Sequence, residues 1–203
     1  GFADAGAADN SKPLDNDRKI RSRDADRPIN DSSLNESCII SENCLTLSHH
    51  TGFEIYLFQH DVTAFRLQAS VTTSELGQCG VVFRLDPDSR DGYYLALDFR
   101  RARAELRAWG ASDTPVGDIA IRYDVLQTGY WDASSQPLAV SLIVYGSYIE
   151  LSIDGEVVLS LVNQIFRHGR VGFYTDTATL NVRDAKLEEL QSPIQSDEQL
   201  ATG

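Results

Sequence analysis

The chain has no methionine, only three cysteines and two tryptophans in 203 residues, and each scarcity removes a class of explanation. Cys38, Cys44 and Cys79 are too few for a disulfide-dense scaffold and match no zinc spacing. Buried free thiols are expected, with a Cys38–Cys44 bridge across a short hairpin as the alternative. Positive charge is also short: 18 Lys and Arg stand against 30 Asp and Glu, for a net charge of −12. No basic face exists on which a phosphate backbone could release counterions, so nucleic acid is not an expected partner. No stretch reaches the roughly 18 uninterrupted apolar residues of a membrane helix, so no membrane partner is expected either. The opening Gly1-Phe2-Ala3-Asp4 lacks the charged and apolar regions of a signal peptide. Without an initiator methionine, it reads as the start of a piece excised from a longer protein.

Helical periodicity is missing as well. After residue 36 nothing keeps apolar residues at i, i+3, i+4 and i+7 over three turns, which argues against βαβ units. What is present is a period of two. Phe65, Leu67, Ala69 and Val71 alternate with Arg66, Gln68 and Ser70, and Tyr93, Leu95, Leu97 and Phe99 alternate with Tyr94, Ala96 and Asp98. Each run reads as a half-buried strand. The pattern recurs around Phe53, Val81, Ala104, Ile119, Leu138, Ile149, Val157, Val171 and Leu180, predicting about eleven or twelve strands. Asp154-Gly155 accepts positive φ at both central turn positions and predicts a tight hairpin over residues 148–161. Tyr145-Gly146-Ser147 marks a reversal just before it. The predicted fold is all-β: an antiparallel β-sandwich in which stacked sheets manage the exposed edges.

Composition divides the chain into three. Residues 1–36, rich in Asp, Asn, Ser, Lys and Arg, read as a polar leader, residues 37–190 as the sandwich, and 191–203 as a tail.

Two stretches carry a family resemblance. Residues 80–98, with Gly80-Val81-Val82-Phe83-Arg84 followed by Asp91-Gly92-Tyr93-Tyr94 and Asp98, resemble a strand pair of concanavalin A-like jelly-roll modules attached to glycoside hydrolases. The hairpin over 149–159, followed by Phe166 and Gly169-Arg170-Val171-Gly172-Phe173-Tyr174, resembles the closing strands of the same group. Within it the chain is similar to the C-terminal β-sandwich of family 32 glycoside hydrolases and to the fructan-binding family 66 carbohydrate-binding modules. The resemblance runs from about Ser37 to Leu190 and implies a lectin-like jelly roll. Arg84 and Asp98 match the family pattern. Asp176-Thr177 stands where fructan-binding modules carry a Trp-Asp pair, and Arg66 where an acidic residue is expected.

Sugar binding needs aromatic faces for the C–H surface of the ring and planar charged side chains for vicinal hydroxyls. Tyr94, Trp109, Trp131 and Tyr174 are candidates for the first, and Arg84, Asp98, Arg100 and Asp176 for the second. Strand alternation puts Tyr94 and Asp98 on one face and Tyr93 on the other, so Tyr94 is the better ligand candidate.

Glycosidase chemistry needs two carboxylates at a defined separation. The densest acidic set, Glu150, Asp154 and Glu156, straddles a hairpin tip, where charges ordinarily meet solvent, and no catalytic residue is assigned. Asp86, Asp88 and Asp91 sit around a turn like a calcium loop but lack the distal glutamate of an EF-hand. Calcium is a weak candidate, and no other cofactor is expected. His49, His50, His60 and His168 read as surface or loop histidines.

The resemblance implies a non-catalytic carbohydrate-binding module serving a glycoside hydrolase, with a fructan or related polysaccharide as partner and an extracellular or cell-surface setting. The alternatives are a structural sandwich packed on a catalytic domain and a stand-alone hydrolase.

Overall fold

The computed structural model describes residues 43–48, 53–73, 77–111, 120–132 and 136–191, with the short segments 3–4, 19–21 and 38–41. No helix occurs among them. In chain order the strands are β1 (Ala3–Asp4), β2 (Lys19–Arg21), β3 (Cys38–Ser41), β4 (Cys44–Ser48), β5 (Phe53–Asp61), β6 (Phe65–Thr73), β7 (Gln78–Leu85) and β8 (Gly92–Asp98). They continue as β9 (Arg103–Ala111), β10 (Ala120–Tyr130), β11 (Leu138–Tyr145), β12 (Tyr148–Ile153), β13 (Glu156–Val162), β14 (Arg170–Asp176) and β15 (Thr179–Glu189). The alternating runs of the sequence fall on β5 to β15. Within the leader, β1 pairs in parallel with β15 and β2 pairs with β5. Ile119, His49, His50 and the tail beyond residue 191 lie outside the described residues.

Two sheets result, ordered β13-β12-β11-β6-β15-β4-β3 and β10-β9-β8-β7-β14-β5-β2. Apart from β1, every pairing is antiparallel. This is the antiparallel sandwich expected from the period of two. One face of each sheet supplies the main core, including Leu67, Leu142, Leu151 and Leu187 from the first and Val81, Phe83, Tyr93, Leu106 and Phe173 from the second. Each such side chain contributes roughly 1.5–3 kcal/mol on leaving water.

At one border the sheets are joined. The Gln127 side-chain amide on β10 accepts from the Ser160 N–H and donates to the Ser160 carbonyl, at 2.9 and 3.3 Å. It thereby occupies the edge of β13 as a neighbouring strand would.

Asp154 and Gly155 take φ of 49° and 84° in the predicted hairpin turn. The Asp154 carboxylate accepts from the Ala139 N–H at 2.9 Å, so it is engaged in the turn, while Glu150 accepts from the Tyr148 hydroxyl. Cys44 and Cys79 are free thiols. Register sets Ser41 opposite Cys44 and Cys38 opposite Leu47, three residue steps apart, or about 10 Å along the strand. Free Cys44 removes the Cys38–Cys44 bridge. Burial pushes the Cys79 thiol up to about 12, against a hydrogen bond from Thr73 and with some help from the Asp98 charge.

Candidate functional site

Strand alternation leaves each sheet with an outer face, and that of the second sheet gathers most of the candidate residues. Register defines its rows. Tyr94 lies opposite Arg107 and Val82, Ala96 opposite Glu105 and Gly80, and Asp98 opposite Arg103. Tyr174 lies opposite Gly80 and Ile55, and Asp176 opposite Gln78 and Phe53. Trp109 faces Gly92 and Tyr130 faces Arg103.

The centre of this face is apolar. Ile55, Leu57, Val82, Leu85, Ala96 and Tyr174 form a second buried cluster with Phe53 and Tyr94 packed on it. Tyr174 stacks on Phe53 at 5.9 Å and meets Tyr94 edge-on at 5.5 Å. Burial raises both phenols well above their ordinary range; Arg90 opposes the effect at Tyr94 and Arg107 opposes it at Tyr174. The Tyr94 hydroxyl donates to the Arg90 carbonyl at 2.8 Å. The Tyr174 hydroxyl is fully enclosed and has no hydrogen-bond partner among the described residues.

Beside this cluster runs a charged ladder. Arg107 donates through Nε and Nη2 to one Glu105 oxygen at 3.0 and 2.7 Å, and through Nη1 to Gln78 Oε1 at 2.7 Å. To reach from β9 to β7, its guanidinium passes over Ala96, where a larger side chain would stand in the way. Arg103 contacts Glu105 at 3.4 Å and Asp98 at 3.9 Å, and Arg101 pairs with Asp98 at 3.0 Å. Burial by itself raises the Asp98 carboxyl, but the Arg101 N–H and the Arg101 and Arg103 guanidiniums outweigh it and hold the group below its ordinary value. Asp98 is therefore ionised at neutral pH, which suits accepting hydrogen bonds from hydroxyls and not general-acid work. At the borders of the face, Trp109 is 45% exposed and Tyr130 67% exposed.

The structure thus brings Tyr94, Asp98, Trp109, Tyr174 and Asp176 to one face. Arg103, Glu105, Arg107, Gln78 and Tyr130 join them. None of these five is among the candidates named from the sequence; the signal that could have placed Arg103, Glu105 and Arg107 is their alternation with Ala104, Leu106 and Ala108 in the run up to Trp109.

The remaining candidates lie elsewhere. Arg100 is exposed on the β8–β9 turn. Trp131 is half-buried against Phe99 at 6.2 Å. Arg84 is 2% exposed. Alternation would turn it outward beside Val82, but β7 carries one residue more than β14 between Val82 and Leu85, and Arg84 adopts φ of 46°. At this bulge its guanidinium donates to the carbonyls of Phe166, Thr63 and Gly146 at 3.0, 3.1 and 2.6 Å.

Asp86 accepts from the backbone N–H groups of Asp88 and Ser89 at 2.8 and 3.1 Å, the geometry of a self-capped turn. Asp91 packs where a side chain on Gly110 would lie. Among the described residues no group of three or more His, Cys, Asp or Glu is arranged to hold a metal ion, and the three aspartates form no such cluster.

No protein-family model matches the sequence, and no curated protein matches it. Solved structures do resemble it. The family 66 carbohydrate-binding module from Bacillus subtilis superposes with a TM-score of 0.63 at 15% identity, over 75% of this chain and 91% of that one. A protein of unknown function with a galectin-like fold, also from Bacillus subtilis, gives 0.55 at 14% identity over 74% and 86%. The exoplasmic/lumenal domain of VIP36, in its Ca2+/Man-bound form, gives 0.57 at 9% identity over 76% and 81%. At these identities the likeness is one of fold, and the fold is the lectin-like jelly-roll sandwich that the sequence resembles.

Proposed function

We propose that this domain is a non-catalytic carbohydrate-binding module, that its ligand is a fructan or a related glycan, and that it serves an attached glycoside hydrolase outside the cytoplasm. The observation that carries the reading is the ladder on the outer face of the second sheet. Glu105 and Arg107 on β9 are locked by hydrogen bonds to each other and, through Arg107, to Gln78 on β7, and the exposed Trp109 follows two residues along β9. Sugars are held by paired donors and acceptors that need no reorganisation and by an aromatic surface for the ring. Three of the five Arg107 N–H donors go to Glu105 and Gln78, which holds its guanidinium in one orientation. The likeness to a carbohydrate-binding module supports the reading at the level of fold. Polymer binding would raise the local concentration of the attached enzyme on its substrate.

Calorimetric titration against levan, inulin, arabinan and β-glucan tests this. Heat of binding is expected with at least one polymer. Arg107→Ala and Trp109→Ala should each weaken it at least ten-fold while leaving the melting transition in place. A wild-type protein giving no heat with any polymer would sink the proposal and shift weight to a purely structural sandwich.

A further inference from the structure

The opposite surface of the sandwich carries a second aromatic ledge. Tyr145 at the end of β11 and Tyr148 at the start of β12 are directly cross-strand, and Tyr148 is in turn opposite Val162 on β13. All three are exposed, at 41%, 36% and 72%. The next row inward on the same face runs through Arg66, Ile143, Glu150 and Ser160. The Tyr148 hydroxyl is fixed between the carboxylate of Glu150 and the hydroxyl of Ser160, the latter at 3.2 Å, and Arg66 pairs with Glu188 at 3.6 Å.

We infer that Tyr145, Tyr148 and Glu150 form a second polysaccharide-binding surface, on the sheet opposite the Arg107 ladder. The two tyrosines occupy directly opposed positions on β11 and β12, with Cβ atoms about 5 Å apart across the strand pair, so both present apolar ring surface on the same face. A carboxylate and two hydroxyls border them as hydrogen-bond partners for ring hydroxyls. The surroundings favour a glycan over a protein. Beyond the ledge the adjoining rows carry Gln68, Ser141, Ser152 and Ser70, with the exposed Val157 at the β13 edge, so the middle strands offer polar groups where protein interfaces bury an apolar centre. The tight Gly146 turn between the tyrosines fixes their spacing, so little side-chain order has to be gained on binding. Ligation on opposite sheets would let one module hold two chains of a polymer, or two segments of one, and gain by avidity.

Depletion from solution onto levan, inulin, arabinan and β-glucan tests the inference with wild-type protein, Tyr148→Ala, Trp109→Ala and the double variant. Sedimentation and thermal melts of each protein run in parallel. On the polymer that binds, each single variant should lose about ten-fold in apparent affinity and the double variant nearly all. Tyr148→Ala binding like wild type on every polymer refutes the second surface and leaves the ladder reading standing. Loss in Tyr148→Ala with none in Trp109→Ala supports the second surface and overturns the first. A wild-type dimer that Tyr148→Ala converts to monomer without changing polymer binding assigns the ledge to protein contact and refutes the inference. No depletion of any protein removes both readings.

Discussion

Replacing Arg84 with alanine tests whether this arginine holds the fold together. Its guanidinium ties three connections to one point: the β5–β6 link at Thr63, the β11–β12 turn at Gly146 and the β13–β14 link at Phe166. Hydrogen bonds from a charged donor are each worth about 1.5–3 kcal/mol. They are not additive here, because recovered guanidinium hydration offsets part of the loss. Truncation strands three carbonyls in a site that is 2% exposed, and a cost of about 3–5 kcal/mol follows. With a urea m-value of about 2 kcal/mol/M, the unfolding midpoint should drop by about 2 M. Backbone strain can be separated by a second variant. At φ of 46° Arg84→Gly should be about 0.5–1 kcal/mol more stable than Arg84→Ala, reversing the usual order of the two residues. Equilibrium urea unfolding, with glycan binding measured on the folded fraction, decides the matter. A midpoint shift below 0.5 M (about 1 kcal/mol at that m-value), or loss of binding at unchanged stability, would refute the argument and make Arg84 a ligand residue.

Three further outcomes are expected. A Cβ on Gly80 would stand 1.9 Å from the Leu95 carbonyl oxygen, so Gly80→Ala must part the two central strands; a loss of about 2–3 kcal/mol in the same urea assay is expected. The Cys79 thiol, raised from 9.0 to about 12 chiefly by burial, favours the folded state at neutral pH, where both states keep the proton. As pH rises past 9 the unfolded chain ionises first, so stability falls between pH 9 and 12, and Tyr94 and Tyr174, raised in the same direction, steepen the fall. Melting curves from pH 7 to 11 should run level up to the region of pH 9 and decline above it, less steeply in Cys79→Ala, and a profile flat to pH 11 would contradict the assignment. Gln127→Ala opens the Ser160 backbone to water and should cost about 1 kcal/mol, seen as faster hydrogen exchange at the Ser160 amide while the Leu151 amide on β12 stays protected.

The sandwich was legible because burial on one face of a sheet writes itself into alternate residues. The eleven runs from Phe53 to Val182 needed only the period of two, and Asp154-Gly155 marked its hairpin because few other dipeptides accept positive φ twice. Alternation also separated Tyr94 from Tyr93, which lies in the main core. It could not foresee the bulge in β7. One additional residue reverses the facing of every position beyond it, so Arg84, outward by counting, ends between the sheets.

The ladder was hidden for a different reason. Arg103, Glu105 and Arg107 carry no individual mark of a site, and their value arises from pairing with one another, with Asp98 on β8 and with Gln78 on β7, which only the register of these three successive strands reveals. What makes the ladder possible is the smallness of Ala96 and Gly80 beneath it, since Arg107 reaches Gln78 only over a low floor. A sequence search for such faces should therefore look for small residues in the central strands opposite alternating charges, not for the charges alone. The same reasoning explains why the Tyr145–Tyr148 ledge escaped notice. Its residues bracket a turn, where exposed aromatics draw no attention, and only the register of β11 on β12 shows that they stand side by side.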